Sequence, residues 1–567
     1  MGVAEHIWLG VLAVFDGPTL ITIAGLGLPV TPIMVLAGFL LGIMVGATPG
    51  LAGPIAMAIA LPILISIFGF SPDALLPVMG FLIGVMKGAT VGGAVPAILF
   101  NTPGTPDAFM TTLDGYPMTQ RGHARRALRI AHFSSVTGDT FSDIVLILCA
   151  PFLAILVEAY LDLPEKTALL ILSLSFIAAV VGGSAGKGLI SAGLGLLAAY
   201  IGTGEDFYPR LSLGLPALSE GFPIATSVLG VLIIGAIFHE MAGLVRSPPG
   251  RTRAATAAGP RTSAETGTEP ATGTDPATGT DPGTGAEPGT ETGTDPGTGG
   301  QGLKPGDLRR ILPYIGRSAV IGTAIGALPG IGSTLAATMG YAMGRRRHAR
   351  RKPPGAPEFG KGAPEGVAAT EAANSAVSGA NLIPVLSLGI PGNAAAVFLI
   401  LAADSIGGFN PGPQVFRLPS EGINSELVIA FGLFTAMLLA NALNWTIGGV
   451  FMRGMGVMAR LPKSRLLPVV LLLTLTAIYV QETSLTALWF AIGFGVLGYL
   501  MRCLGISPLP FVIAFILGGT LEATARQAFA ATGGDPFFLF THPIAAVFMA
   551  LALAVIVLTA RGRKAPA

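Results

Sequence analysis

Apolar residues are gathered along this chain into long runs separated by short polar or basic stretches. The runs cover roughly residues 7–25, 35–67, 141–160, 167–183, 188–202, 223–245, 311–344, 366–403, 427–451, 467–480, 485–500, 508–521 and 542–560. Several approach the ~20 residues a helix needs to cross the hydrocarbon of a bilayer. The pattern predicts an all-α polytopic membrane protein with about 10–12 membrane segments. The first run is interrupted by Asp16, Gly17 and Pro18. It lacks the basic start and small-residue cleavage site of a signal peptide, and is read as retained membrane structure, a span or an interfacial helix, with the span preferred.

Two of the runs are broken by proline and glycine, and each break occurs twice. GATPGLAG, with Thr48, Pro49 and Gly50, is matched by GALPGIGS, with Pro329, Gly330 and Ser333; Gly46 plus 280 is Gly326, and Pro49 plus 280 is Pro329. The second break, GGAVPAILFNTPGTP (Gly92 to Pro106), is matched by ANLIPVLSLGIPGN (Ala380 to Asn393), with Pro96 and Pro103 answering to Pro384 and Pro391. Same motifs in the same order in both halves indicate an internal duplication. Proline removes a backbone donor and glycine admits unusual dihedrals, so such breaks are tolerated at membrane depth only inside protein or beside a wet cavity. Paired broken helices, re-entrant or discontinuous, in the two halves are the sequence pointer to a transporter's binding site.

The halves are residues 1–245 and 308–567. Residues 246–307 form a Gly/Thr/Pro/Asp-rich tract with too few large apolar side chains to fold, expected to be a disordered cytoplasmic linker. The loop between Pro106 and Arg129 is polar, with DGYP reading as a turn. Basic clusters at 121–129, 246–261, 304–310, 345–352, 453–465 and 561–564, with Arg502, are assigned to the cytoplasm. Matched loops carry opposite charge bias: residues 66–73 hold no Lys or Arg, whereas their counterpart holds RRRHARRK. This predicts two inverted-topology repeats.

Composition narrows the function. Hydrophobic residues make up 51% and charged residues 11% of 567, with mean hydropathy +0.71, which excludes a soluble domain of this length. A net charge of +2 gives no support for a nucleic-acid partner. Two cysteines, Cys149 and Cys503, support neither a disulfide framework nor a thiolate metal site, and the histidines show no metal spacing. GALPGIG lacks the Lys-Ser/Thr ending of a phosphate loop, and no catalytic pair stands out. The reading is therefore not an enzyme, with no cofactor and no metal.

The polar groups near the breaks are the candidate binding residues: Thr48, Asn101, Thr102, Thr105 and Asp107 in the first half, and Ser333, Thr334, Asn374, Ser375, Asn381 and Asn393 in the second. Apart from Asp107, Thr334 and Asn381, which stand nearby, these residues form the expected substrate site with Pro49, Gly50, Pro103, Gly104, Pro329, Gly330, Pro391 and Gly392, where amides, hydroxyls and helix N-termini hold a carboxylate. The same glycines and hydroxyls equally suit helix packing. Glu371 and Asp404, acids flanked by membrane-apolar sequence, are the candidate groups for coupling to Na+ or H+. For Glu371 the competing reading is an interfacial position near Glu365 and the basic loop. Asp139, Asp143, His239 and Glu240 are read as solvated residues at span ends.

GATPGLAGPIAMAIALP, GGAVPAILFNTPGTPDAFMTTLDGYPMTQRGHARRAL, GTAIGALPGIGSTLA, FGKGAPEGVAATEAANSAVSGANLIPVLSLGIPGN, NPGPQVF and LEATARQAF together resemble the large permease subunit of the tripartite tricarboxylate transporter family. The resemblance covers the chain apart from the linker. It implies a multi-pass protein of the bacterial cytoplasmic membrane, importing carboxylates such as citrate on an ion gradient. It also implies two partners besides the lipid bilayer, a small membrane subunit and an extracytoplasmic solute-binding protein. Where the family has a motif closer to APEAANNA this chain has ATEAANS at 369–375, and it has VGGA at 91–94 in place of YGGS. Both departures remove polar groups beside the expected site. The alternative is a membrane subunit that keeps the fold but no longer transports.

Overall fold

Glycines four residues apart on two apolar helices let their backbones meet directly. In the computed structural model, helix Val30–Gly46 carries Gly38, Gly42 and Gly46, and helix Leu75–Phe100 carries Gly84, Gly88 and Gly92. The two rows face each other. A Cβ at Gly88 would overlap the Phe39 carbonyl and lie 2.9 Å from the Ile43 nitrogen and 3.1 Å from Gly42 Cα. The second half repeats the contact with a little more volume, Gly322 and Gly326 of helix Pro305–Gly326 lying against Ala373, Ala376, Val377 and Ala380 of helix Pro364–Ala380.

The structure describes the chain except residues 1, 18, 24–25, 50, 182–183, 204–208, 213, 247–304, 330–331, 352–356, 420–421, 461–462 and 562–567. Gly50, Gly330 and nearly all of the expected linker therefore lie outside the described residues. Among the described residues the protein is helical apart from two short antiparallel pairs, Thr19–Ile23 with Leu26–Pro29 and Gly202–Thr203 with Pro209–Arg210. Seven helices are long and apolar enough to cross a membrane: Pro72–Phe100, Ala124–Tyr160, Ile224–Val245, Ser425–Met458, Ser464–Glu482, Leu485–Cys503 and Leu509–Ala531. Shorter apolar helices accompany them.

The duplicated breaks fold alike down to single hydrogen bonds. At the first, Ala47 N donates to Ile43 O (2.9 Å) and Thr48 N to Val45 O (3.0 Å); 280 residues on by number, Ala327 N donates to Thr323 O (3.0 Å) and Leu328 N to Ile325 O (3.1 Å). At the second, Thr102 N donates to Pro96 O (3.2 Å) and Ile390 N to Pro384 O (3.1 Å). The residue that stops each helix is left-handed, Asn101 (φ 53°) in one copy and Gly389 (φ 71°) in the other. Glycine and asparagine are the residues that take this conformation most readily. Helix Leu75–Phe100 runs straight through Pro96, so its break falls at Asn101.

The halves also pack crosswise. Helix Gly53–Phe68, which follows the first break of the first half, packs on helix Ala394–Ile406, which follows the second break of the second half. Helix Ser333–Arg351 packs in the same manner on the turn Pro106–Ala108. At the centre, every residue of Pro364–Ala380 is buried, enclosed by Ala124–Tyr160, Pro305–Gly326, Ser333–Arg351 and Phe109–Gln120. All of Leu75–Phe100 except Thr90, Leu99 and Phe100 is buried as well.

Two expectations are corrected. The run at 7–25 is not a span: helix Val3–Phe15 has 13 residues, about 20 Å of rise, and gives way to the strand pair after Asp16. Its Gly10 lies against Phe431 and Gly432 of helix Ser425–Leu443. The stretch containing DGYP is not a turn but part of helix Phe109–Gln120, because Asp114 has a partner across the molecule that holds it there. The glycine rows generate a test: Gly88→Leu must push the two helices apart and should cost at least the ~1–3 kcal/mol of overpacking a core. A lowered melting midpoint in detergent, with Thr90→Leu on the same helix as a milder control, is the expected result.

Candidate functional site

Helix Pro364–Ala380 is built of small residues and carries a polar stripe, Glu371, Asn374, Ser375 and Ser378, continued by Asn381 at its C-terminal cap. Spacings of three and four keep these side chains on neighbouring faces. Because the helix is wholly buried, each polar atom on it has to find its partner in protein. Some do. Thr111 Oγ1 donates to Glu371 Oε1, and Ser135 Oγ donates to Glu371 Oε2 at 2.9 Å. Glu371 is fully buried, so the interfacial reading is set aside, and among the described residues it has no cationic partner. Glu365, six residues earlier, does have one, Arg310.

Others do not. Both amide atoms of Asn374 and of Asn381, and the hydroxyls of Ser375, Ser134 and Thr323, are buried without a hydrogen-bond partner. An unmet buried polar atom costs about 1–3 kcal/mol, so a concentration of them on one helix calls for a ligand. Asn381 lies beside the second break: a Cβ on Gly392 would come within 3.1 Å of its Oδ1.

The remaining expected site residues are distributed as follows. Thr48 is buried and its hydroxyl donates to Met44 O at 2.9 Å. Gly104 is pressed into the first half, its nitrogen donating to Gly93 O at 3.3 Å and its Cα facing the Gly46 carbonyl, so the two breaks of that half meet there. Thr105 is buried; Asn101 is exposed, and Thr102 and Pro103 are half-buried. Pro391 and Gly392 are buried, and Asn393 caps the following helix, Oδ1 accepting from Ala396 N at 2.8 Å. Pro49, Pro329 and Ser333 are half-buried, and Thr334 Oγ1 donates to Asp107 Oδ1 at 2.6 Å, joining the first break of one half to the second break of the other. Asp404 is exposed in the last turn of Ala394–Ile406.

Asp139 and Asp143 correct the sequence reading. They are buried and not solvated, because the helix they occupy is Ala124–Tyr160 and they fall near its middle. Between them sits Lys87, 1% exposed, whose Nζ lies 2.8 Å from Asp139 Oδ1 and 2.7 Å from Asp143 Oδ2, and donates to Asn441 Oδ1 at 3.3 Å. Asn441 Nδ2 donates to Asp143 Oδ2 at 2.7 Å, and Ser378 Oγ donates to Asp139 Oδ1. Four helices from both halves thus converge on one ammonium. Lys87 was absent from the sequence reading; its signal was a single cation inside the apolar run LIGVMKGATVGG, which in a membrane segment points to function or to a partner.

A second knot joins the halves. Gly360, with φ +84°, and Gly362, with φ +81°, turn the chain so that Gly360 N, Gly362 N and Ala363 N donate to Asp114 Oδ1 at 2.9, 2.8 and 2.7 Å. The motif FGKGAPEG is therefore a carboxylate-holding loop for the aspartate of DGYP. Asp114→Ala should leave the buried amides of Gly362 and Ala363 and the part-buried amide of Gly360 unmet and lower stability by roughly 2–3 kcal/mol or more. An unchanged melting midpoint in that variant would show that the loop is held by something else.

The model of the "Tripartite tricarboxylate transporter TctA family" matches residues 33–513. A protein of Agrobacterium vitis described as "Uncharacterized 52.8 kDa protein in TAR-I ttuC' 3'region" is 29% identical over 538 residues, 94% of this chain and 93% of that one. A second from the same organism, "Uncharacterized protein in TAR-II ttuC' 3'region", is 32% identical over 241 residues, 42% of this chain and 93% of its own length. No solved structure matches the chain. The chain belongs to the tripartite tricarboxylate transporter TctA family, and is a multi-pass membrane protein of that transporter type.

Proposed function

We propose that this member of the family is the large membrane subunit of a binding-protein-dependent secondary transporter of the bacterial cytoplasmic membrane, importing a di- or tricarboxylate such as citrate by symport with Na+ or H+. The observation that carries the reading is the pair of unpartnered side-chain amides, Asn374 on the fully buried helix Pro364–Ala380 and Asn381 at its C-terminal cap beside Gly392 of the second break. Amide donors satisfied by a carboxylate need no fixed cation beside them, which suits an anion that must also be released. The partners in this reading are a small membrane subunit and an extracytoplasmic solute-binding protein. Glu371, held only by two hydroxyls, is the group proposed to take up the coupling ion.

In this reading the halves are inverted repeats with broken helices at the site, supported by the crosswise packing of each half's first break on the other's second. After replacement of the exposed Cys149 and Cys503, Phe70→Cys should react with an impermeant external thiol reagent and Arg346→Cys should not. Labelling of both from outside would refute the inversion.

Transport is tested by uptake of labelled di- and tricarboxylates into cells expressing all three subunits. Gly392→Leu, which places a side chain against Asn381, should abolish uptake while the protein remains inserted, and Glu371→Gln should alter ion dependence more than substrate preference. Wild-type cells that take up none of the panel would favour the transport-inactive alternative.

A further inference from the structure

Lys87 answers only half of the charge around it. One ammonium faces two carboxylates, Asp139 and Asp143, all three nearly or wholly removed from solvent, and no other ion pair reaches them among the described residues. Ionised, the cluster is one positive charge short of neutral, and an uncompensated buried charge is expensive. The shortfall has an address. Asp143 Oδ2 accepts from Lys87 and Asn441, but Asp143 Oδ1 is buried without a partner. It points toward the backbone at Gly379, where a Cβ would meet it and would lie 2.6 Å from Ser142 Oγ.

We infer that Asp143 Oδ1, with Asp139, Ser142, Ser378 and Asn441 around it, is a binding site for one monovalent cation, a proton or Na+, with Lys87 as the fixed counter-charge that keeps the site from demanding two. The donors are all oxygen, which suits a hard cation and not a soft metal. The site is placed to communicate with the amides of the proposed substrate site. Ser378, which donates to Asp139, lies on the same helix as Asn374 and three residues before the capping Asn381, and Ser135, which donates to Glu371, lies one turn before Asp139. The cation site deepens the proposed symport and depends on that reading for its purpose, but binding of a cation can be measured with no substrate present.

The titratable groups on the elements packed around this site include Glu371, facing Thr111 and Ser135; His132, facing Asn444; the pairs Arg126–Asp307, Arg310–Glu365 and Arg417–Glu158; and, toward the helix ends, Arg125, Arg129 and Glu426. All remain in the variants below, so a difference between variants isolates the cluster. The full chain in lipid nanodiscs is melted as NaCl replaces choline chloride at constant ionic strength, at neutral and at mildly acid pH. Wild type should gain stability with Na+ if sodium is the ligand, and with acidity alone if it is the proton. Asp143→Asn, which removes the excess charge and keeps the shape, should lose that response. Asn441→Asp, which deepens the deficit at the same place, should enlarge it. Equal responses in wild type and Asp143→Asn, or no response in wild type, would overturn the site. Should Asp143→Asn fail to fold, Asn441→Asp decides: an enlarged response supports the site and an unchanged one refutes it. Failure of carboxylate uptake would leave these outcomes untouched.

Discussion

A lysine ammonium held away from water requires carboxylates within contact distance, and that requirement fixes the centre of this protein. Lys87 brings the middle of Ala124–Tyr160 against Leu75–Phe100, and Asn441 and Ser378 bring a helix from each part of the second half to the same point. Everything near it has to be thin for this to happen. The glycine rows at 38, 42 and 46 and at 84, 88 and 92 bring one pair of helices into backbone contact, and Gly138 against Ala372 with Gly379 against Asp143 brings Ala124–Tyr160 onto Pro364–Ala380 closely enough for short side chains such as Ser378 and Asp139 to touch. Small residues and buried charge are thus two aspects of one design.

Duplication supplies the frame and departure from it supplies the chemistry. The breaks recur with the same hydrogen bonds and the same left-handed stop, yet the position 288 residues beyond Lys87 is Ser375, and the one 288 before Glu371 is Ile83. One half therefore contributes a cation at the place where the other contributes a hydroxyl, and the other an acid where the first is apolar. Two geometrically equivalent helices consequently face the centre with unlike electrostatics.

Much of the frame was legible in the primary structure because glycine and proline punctuate it: Pro96, Pro103, Pro384 and Pro391 marked both second breaks, and the 280-residue offset marked the first. For Glu371 the primary structure left an interfacial position open, and its burial is decided by the helices that enclose Pro364–Ala380 on every side. What escaped were features that depend on distant partners. Asp139 and Asp143 look like solvated span-end residues until a 37-residue helix places them at its middle, and Asp114 looks like a turn residue until Gly360, Gly362 and Ala363 arrive from 246, 248 and 249 residues away. The first run misled in the opposite sense, since apolar composition around residues 7–25 served a short packed helix and a strand pair and not a crossing.

The order in which the chain is made gives the Asp114 loop another meaning. Lys87 and its carboxylates are separated by only 52 and 56 residues, so the first half leaves the ribosome with its most costly charges already paired to one another. Asp114 is different: its carboxylate must wait until the very beginning of Pro364–Ala380 has been synthesised before it receives any of its three backbone amides. The same event delivers Glu371 to Thr111 and Ser135, hydroxyls made 260 and 236 residues earlier. Arrival of one small-residue helix and the loop before it thus supplies the partners of both Asp114 and Glu371 at once, while the Lys87 cluster still waits for Asn441.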